Sequence, residues 1–98
     1  MDTREEVKQA LITETNWVKH LQEKLKAAID TSEREKAITC VDQLKVAYEC
    51  LSDRHTEFWE VTDGQMSDKE FKLFSDAEVA MHEALNTLRY FKEKKNEQ

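Results

Sequence analysis

The chain has 98 residues, of which 39% are hydrophobic and 37% are charged, and its formal net charge is −6. This length allows one small hydrophobic core with little room for a buried active site. The acid excess argues against nucleic-acid binding, which needs a basic surface to neutralise phosphates, and no apolar run approaches the roughly 20 residues of a membrane-spanning helix.

The first predicted helix covers about residues 3–29. It opens on Thr3-Arg4-Glu5-Glu6, in which Thr3 and Glu6 have the spacing of a capping box. Apolar residues then recur at intervals of three and four, the spacing of one packed helix face, which we call the seam. The seam of this helix consists of Val7, Leu11, Val18, Leu21, Leu25 and Ala28, with Glu14 in one position that an apolar residue would normally fill.

The second predicted helix covers about residues 32–63, after a very tight turn at Asp30-Thr31. Ser32 and Glu35 form a second capping-box pattern, and the only glycine, Gly64, is expected to end the helix in a left-handed conformation. Residues 31–66 carry eight acidic and four basic side chains, so most of the net charge lies here. The seam runs without a break through Ala37, Val41, Leu44, Tyr48, Leu51, His55, Phe58 and Thr62.

The third predicted helix covers about residues 67–95 and begins with a third capping-box pattern, Ser67 with Glu70. Met66 and Phe71 have the spacing of a hydrophobic staple across this helix start. The seam consists of Phe74, Ala77, Met81, Ala84, Leu88 and Phe91, widened by Leu85.

These three segments predict an all-α fold in which residues 1–98 form a single domain. Proline is absent and no segment alternates in the manner of a strand. Short turns between long helices imply antiparallel neighbours, hence an up-down-up three-helix bundle. The seven-residue period of the seams predicts coiled-coil-like packing at shallow angles.

No catalytic, cofactor or metal site is expected from the sequence. His20, His55 and His82 lie one on each helix, and the paired spacing of zinc ligands is absent. Cys40 and Cys50 are ten positions apart on one predicted helix, about 15 Å at the helical rise and beyond disulfide reach. They are expected to be reduced boundary residues with no nucleophilic role, in a cytoplasmic protein.

Four aromatic residues are the candidates for partner binding. Trp17 and Trp59 lie next to seam positions, Tyr90 flanks Phe91, and Tyr48 belongs to the seam itself. Such positions are often half-buried at the edge of a bundle, but Trp and Tyr are also the usual anchors of protein interfaces. Both interpretations stay open at this point.

One stretch carries a resemblance to a known family. Residues 41–58 have the form L-x3-Y-x2-L-x3-H-x2-F, followed by an acidic turn, Asp76-Ala77-Glu78 and a helix ending in Tyr90-Phe91. Residues 33–93 thereby resemble the helical N-terminal region of Gag-like polyproteins from BEL/Pao-type retrotransposons. More loosely, Trp17 midway along the first helix is similar to the tryptophan of a spectrin-type three-helix repeat. The Gag-like resemblance implies a structural role in assembly, without catalytic residues.

The resulting functional hypothesis is a non-enzymatic helical module for protein interaction or assembly. Its partner would be a second copy of the chain, as in a Gag-like segment that supports self-association. The alternative is an adaptor or spectrin-like domain that binds a helix or peptide of another protein. Neither a nucleic-acid nor a membrane partner is expected.

Overall fold

Three long helices make up the structure, a computed structural model that describes residues 3–96, with side chains described for residues 3–92. They are α1 (Thr3–Asp30), α2 (Arg34–Thr62) and α3 (Asp68–Asn96), and residues 3–96 contain no strand. Each helix packs against the other two, and α1 and α2 share the most extensive contact. The predicted all-α, antiparallel three-helix bundle is thus confirmed, with overall dimensions of 47 × 22 × 21 Å.

The core consists of one stripe of side chains from each helix, since each helix has an apolar face that must be buried. Fully burying a Leu, Val or Phe side chain stabilises the fold by about 1.5–3 kcal/mol relative to leaving it exposed. The largest of the fully buried apolar side chains come from α1 and α2: Phe58, Leu11, Leu21, Leu25, Leu44, Leu51 and Val18. The buried apolar residues of α3 are mostly small: Phe74, Ala77, Ala80 and Ala84. The core therefore draws most of its volume from α1 and α2.

The buried stripe is wider than the predicted seam. Thr15, not Glu14, is buried on α1, where its hydroxyl donates to the Leu11 carbonyl at 2.7 Å. Cys40, expected at the boundary, is only 2% exposed, and Ala47 and Ala80 are buried as well. A helix with two neighbours buries a broader face than a helix with one, which explains the additional residues.

The turn between α1 and α2 differs from its prediction. Ser32 has a left-handed backbone with φ of 57°. Its N–H donates to the Ile29 carbonyl at 3.1 Å, and the Glu33 N–H donates to the Ala28 carbonyl at 2.8 Å. This pair of bonds is a Schellman motif that satisfies the last carbonyls of α1. Ser32 therefore ends α1; the second predicted capping box is wrong, since Glu33 is the N-cap of α2 and makes no side-chain capping bond.

The turn between α2 and α3 repeats the same motif. Asp63, with φ of 54°, takes the left-handed position, and the Gly64 N–H donates to the Trp59 carbonyl at 3.2 Å. Gly64 was expected to end the helix, but it comes one residue later and also has a positive φ of 74°. A β-carbon at Gly64 would lie 3.2 Å from Cζ2 of Trp59, so glycine leaves space for the indole ring over the turn.

The start of α3 confirms the third capping box. The Glu70 N–H donates to Ser67 Oγ at 3.2 Å, and the Ser67 N–H donates to Glu70 Oε1 at 3.0 Å. Met66 packs against the core, whereas Phe71, its predicted staple partner, is 60% exposed. Thr3 is the first described residue, so the first capping box stays a prediction.

Arg4 ties the start of α1 to this same end of the bundle. Its guanidinium donates to both carboxylate oxygens of Glu70, at 2.9 and 2.6 Å, and to the Gln65 carbonyl at 2.9 Å. The bonds from Arg4 and from the Ser67 backbone lower the pKa of Glu70 to about 2. We call this the closed end of the bundle; the α1–α2 turn lies at the opposite end.

Candidate functional site

The four aromatic candidates do not form one cluster. Trp17 is 45% exposed and stacks on His20, with ring centroids 5.6 Å apart. Tyr48 is half-buried and packs against the core. Trp59 lies towards the closed end, and Tyr90 lies near the opposite end on α3, so the structure distributes these side chains over the bundle.

Trp59 belongs to an aromatic group that joins α2 to α3. Its ring centroid is 5.6 Å from that of Phe74. The His55 ring stacks on the same Phe74 ring, with centroids 3.8 Å apart. Trp59 is nevertheless 52% exposed. Its ring packs against Phe74 and lies over Gly64. Trp59 therefore helps to pack α2 against α3 and also forms part of the surface.

His55 lies on the α2 seam at the edge of the core, and its buried Nε2 makes no hydrogen bond with the described residues. Its Nε2 lies 3.4 Å from Oε1 of Glu78, and its side chain is 15% exposed. Burial lowers the pKa of His55, and this effect exceeds the opposing influence of the Glu78 carboxylate. His55 is therefore neutral at pH 7, in keeping with its stacked position on an aromatic ring.

A groove lies between the C-terminal halves of α1 and α3 and has a volume of about 590 Å³. We call it the α1–α3 groove. Its apolar lining comes from Leu25 and Ile29 on α1 and from Tyr90 and Phe91 on α3. Ile29 is 49% exposed and Tyr90 is 54% exposed, so a large part of this lining faces solvent.

Polar and charged side chains border the apolar floor of the groove. Gln22, Glu23 and Lys26 line it from α1, and the α3 side carries Glu83 among its lining residues. Glu23, Lys26 and Glu83 make no ion pair with any of the described side chains. The rim therefore carries positive and negative side chains that have no ion-pair partner among the described side chains.

The groove contains one of the four predicted residues, Tyr90, and the sequence reasoning missed the rest of it. Ile29 and Leu25 are four residues apart and so share a helix face, which is the signal that could have drawn attention to Ile29. Other exposed apolar side chains lie outside the groove lining: Ile38, Val46, Val61, Phe71 and Val79. Single exposed apolar residues are normal on a protein surface and need no functional explanation.

Several kinds of site are not found in the part of the chain that the structure describes. It contains no group of three or more His, Cys, Asp or Glu side chains able to hold a metal ion. Its helices also lack the combination of length and hydropathy that crossing a bilayer requires. Cys40 is buried and Cys50 is half-buried, and both are free thiols.

Comparison with known proteins gives no relative: no family model, no curated protein and no solved structure matches the chain. The resemblances to Gag-like polyproteins and to spectrin-type repeats therefore stay predictions.

Proposed function

We propose that this protein is a non-enzymatic interaction module that binds a helix of a protein partner in the α1–α3 groove. The observation that carries the proposal is the groove itself, with an apolar floor and a polar rim between two parallel helices. A groove between two helices is the shape that accepts the apolar face of a third, amphipathic helix.

The composition of the groove supports a protein partner. Tyr90 offers a large, rigid ring that loses little conformational freedom on binding, as interface anchors typically do. Ile29 lies close to the end of α1, and its exposed surface would be covered by any helix that filled the groove. The polar side chains around it would form the rim that protein interfaces have around their apolar centre.

The sequence resemblance and the cysteines are consistent with this role. A Gag-like segment would serve assembly, which is one form of helix–helix interaction, and no catalytic residue is assigned. Two free cysteines are typical of a reducing compartment, so we place the module in the cytoplasm. The acidic surface of α2 disfavours nucleic acid as the partner.

Site-specific photo-cross-linking tests the proposal. The photoreactive residue p-benzoylphenylalanine is placed at Thr87, which lines the groove, and in a control protein at Val46, which is exposed on α2. Ultraviolet light is applied both to extracts of the source cells and to the purified protein at about 1 mM, and in at least one of them position 87 should give a defined protein adduct while position 46 gives none. The proposal fails if position 87 gives no adduct in either sample or if both positions give the same products.

A further inference from the structure

We infer that the partner is a second copy of this chain, whose α1–α3 face packs on the α1–α3 groove in a two-fold symmetric dimer and places its projecting side chains in the groove. This inference rests on the proposed function and names its partner. Three features of the groove favour a second copy over another protein: the charges at its rim, the position of the acid excess, and the shape of its apolar residues.

The rim charges are self-complementary. Lys26 lies on the α1 side of the groove and Glu83 on the α3 side. In a two-fold dimer, a contact of residue i with residue j is always accompanied by the contact of j with i. If the two-fold axis is parallel to α1 and α3, α1 of each copy faces α3 of the other. Lys26 and Glu83 of the two copies would then pair, and each would gain an ion-pair partner that it lacks among the described side chains of one bundle.

The acid excess lies away from this face. The segment of residues 31–66, which includes α2, carries eight acidic and four basic side chains. Pairing through α1 and α3 keeps the two α2 helices on the outside, where like charges are far apart and screened by salt. A basic helix from another protein would be attracted to α2 rather than to the groove, because the rim of the groove carries both signs.

The apolar residues of the groove include both projecting and recessed side chains. Ile29 and Tyr90 are about half exposed, whereas Leu25 is buried in the floor. Projecting side chains of one copy would enter the recess of the other, as a symmetric interface requires. The groove occupies about half of the 47 Å length of the bundle, which is 21 Å wide, so the buried area is on the order of 500 Å² per copy. This area is at the lower limit of specific protein interfaces, and the dimer should therefore be weak.

Sedimentation equilibrium of the purified protein tests this inference from about 10 µM to 1 mM, the range of a weak dimer. The mass should rise from that of one chain towards twice that value. Ile29→Lys should raise the dissociation constant by about tenfold or more. Ile38→Lys is the matched control, because Ile38 has nearly the same exposure, 53% against 49%, but lies on α2 outside the groove lining. It should dimerise like the wild type.

A charge exchange locates the contact without changing the apolar floor. Lys26→Glu should weaken the dimer, and the double variant Lys26→Glu with Glu83→Lys should restore it. Thermal unfolding of each variant by circular dichroism verifies that the bundle is intact.

Three results would overturn the inference: a wild-type protein that is monomeric at 1 mM, a dimer indifferent to Ile29→Lys, or equal losses in the Ile29 and Ile38 variants. A monomer whose residue 87 still cross-links to a different protein would overturn the second copy as occupant and retain the interaction module. If the protein stays monomeric at 1 mM and residue 87 cross-links to no protein, both the dimer and the interaction module are excluded.

Discussion

Arg4 and Glu70, sixty-six positions apart in the chain, form a two-pronged ion pair that joins the start of α1 to the start of α3. The same carboxylate accepts the backbone N–H of Ser67, so one side chain serves both the capping box and the contact between helices. Because its pKa is lowered to about 2, Glu70 makes the stability of the bundle sensitive to acid.

Acid should weaken the closed end first. The folded state holds Glu70 ionised to about pH 2, whereas an unfolded glutamate has a pKa of 4.5. Its contribution is fully present above about pH 4.5 and is lost as the pH falls towards 2. Urea unfolding of Glu70→Gln between pH 7 and pH 2 should therefore show a weaker decline over this interval than the wild type. Glu57→Gln is the control, because Glu57 pairs with Arg54 on its own helix surface. An equal decline in wild type and Glu70→Gln would contradict the prediction.

Ser67 and Ser32 should respond differently to substitution, although both stand in Ser-x-x-Glu patterns. Ser67→Ala removes an N-cap hydrogen bond and should destabilise the protein by about 1 kcal/mol. Ser32→Ala should change the stability by less than about 0.5 kcal/mol, because Ser32 caps no helix through its side chain. Ser32→Gly should stabilise by up to about 1 kcal/mol, since glycine adopts the left-handed backbone without steric strain. Equal losses in the two alanine variants, measured by urea unfolding, would show that Ser32 is an N-cap after all.

Gly64 and Trp59 should be energetically coupled. Gly64→Ala introduces a β-carbon at a positive φ and 3.2 Å from the indole ring. We expect a loss of about 1–2 kcal/mol in the free energy of unfolding. In a Trp59→Ala background the loss should be smaller, because only the backbone contribution is left. Purely additive effects in this double-mutant cycle would argue against a steric contact between the two residues.

His55 should make the protein less stable as the pH falls below neutrality. Its folded-state pKa is lowered from 6.5 by burial, so the unfolded state binds the proton more readily. The free energy of unfolding should therefore decrease as the pH falls from about 6.5 through the lower pKa of the folded protein.

Two variants separate His55 from other titrating groups. Glu78→Gln removes the carboxylate that favours protonation and should lower the pKa of His55 further, as followed by its imidazole NMR signals. His55→Leu should abolish this part of the pH dependence. A His55 pKa above 6.5 in the wild type would be incompatible with the neutral, stacked ring.

The number and type of helices could be predicted because each helix carries its own local signals. Heptad spacing predicted most of the buried positions, including Leu44, Leu51 and Phe58. It could not distinguish Glu14 from Thr15, since neighbouring positions on a helix lie only 100° apart and the choice depends on where the other two helices lie. The same reason explains why Cys40 was placed at the boundary and is in fact buried.

Ser32 shows the limit of local pattern reading. A serine followed by glutamate three residues later fits a helix start, and nothing local reveals that the preceding helix continues to Asp30. Because the turn is so short, Ser32 takes the left-handed position that follows α1 and cannot also be the N-cap of α2. Asp63 is a second example. The sequence indicated Gly64 as the left-handed residue after α2, and Gly64 is left-handed, but so is Asp63 before it.

The α1–α3 groove could not be predicted because it depends on the spacing between two helices distant in sequence. The sequence indicated Tyr90 as an aromatic neighbour of Phe91. The spacing of Leu25 and Ile29 shows that they share a face of α1, but not that this face lies beside Tyr90. Local spacing defines the face of each helix, whereas the width of a groove follows from how all three helices pack.

The placement of the groove beside Phe91 has a practical consequence for anyone who attaches a label or fusion partner to this protein. A fluorophore, affinity tag or second domain joined after α3 would lie at the same end of the bundle as the groove, where it would compete with the proposed second copy. The same group joined before Thr3 would emerge near Arg4, at the far end of a bundle 47 Å long, and leave the groove accessible. Binding and mass measurements should therefore use amino-terminal tags.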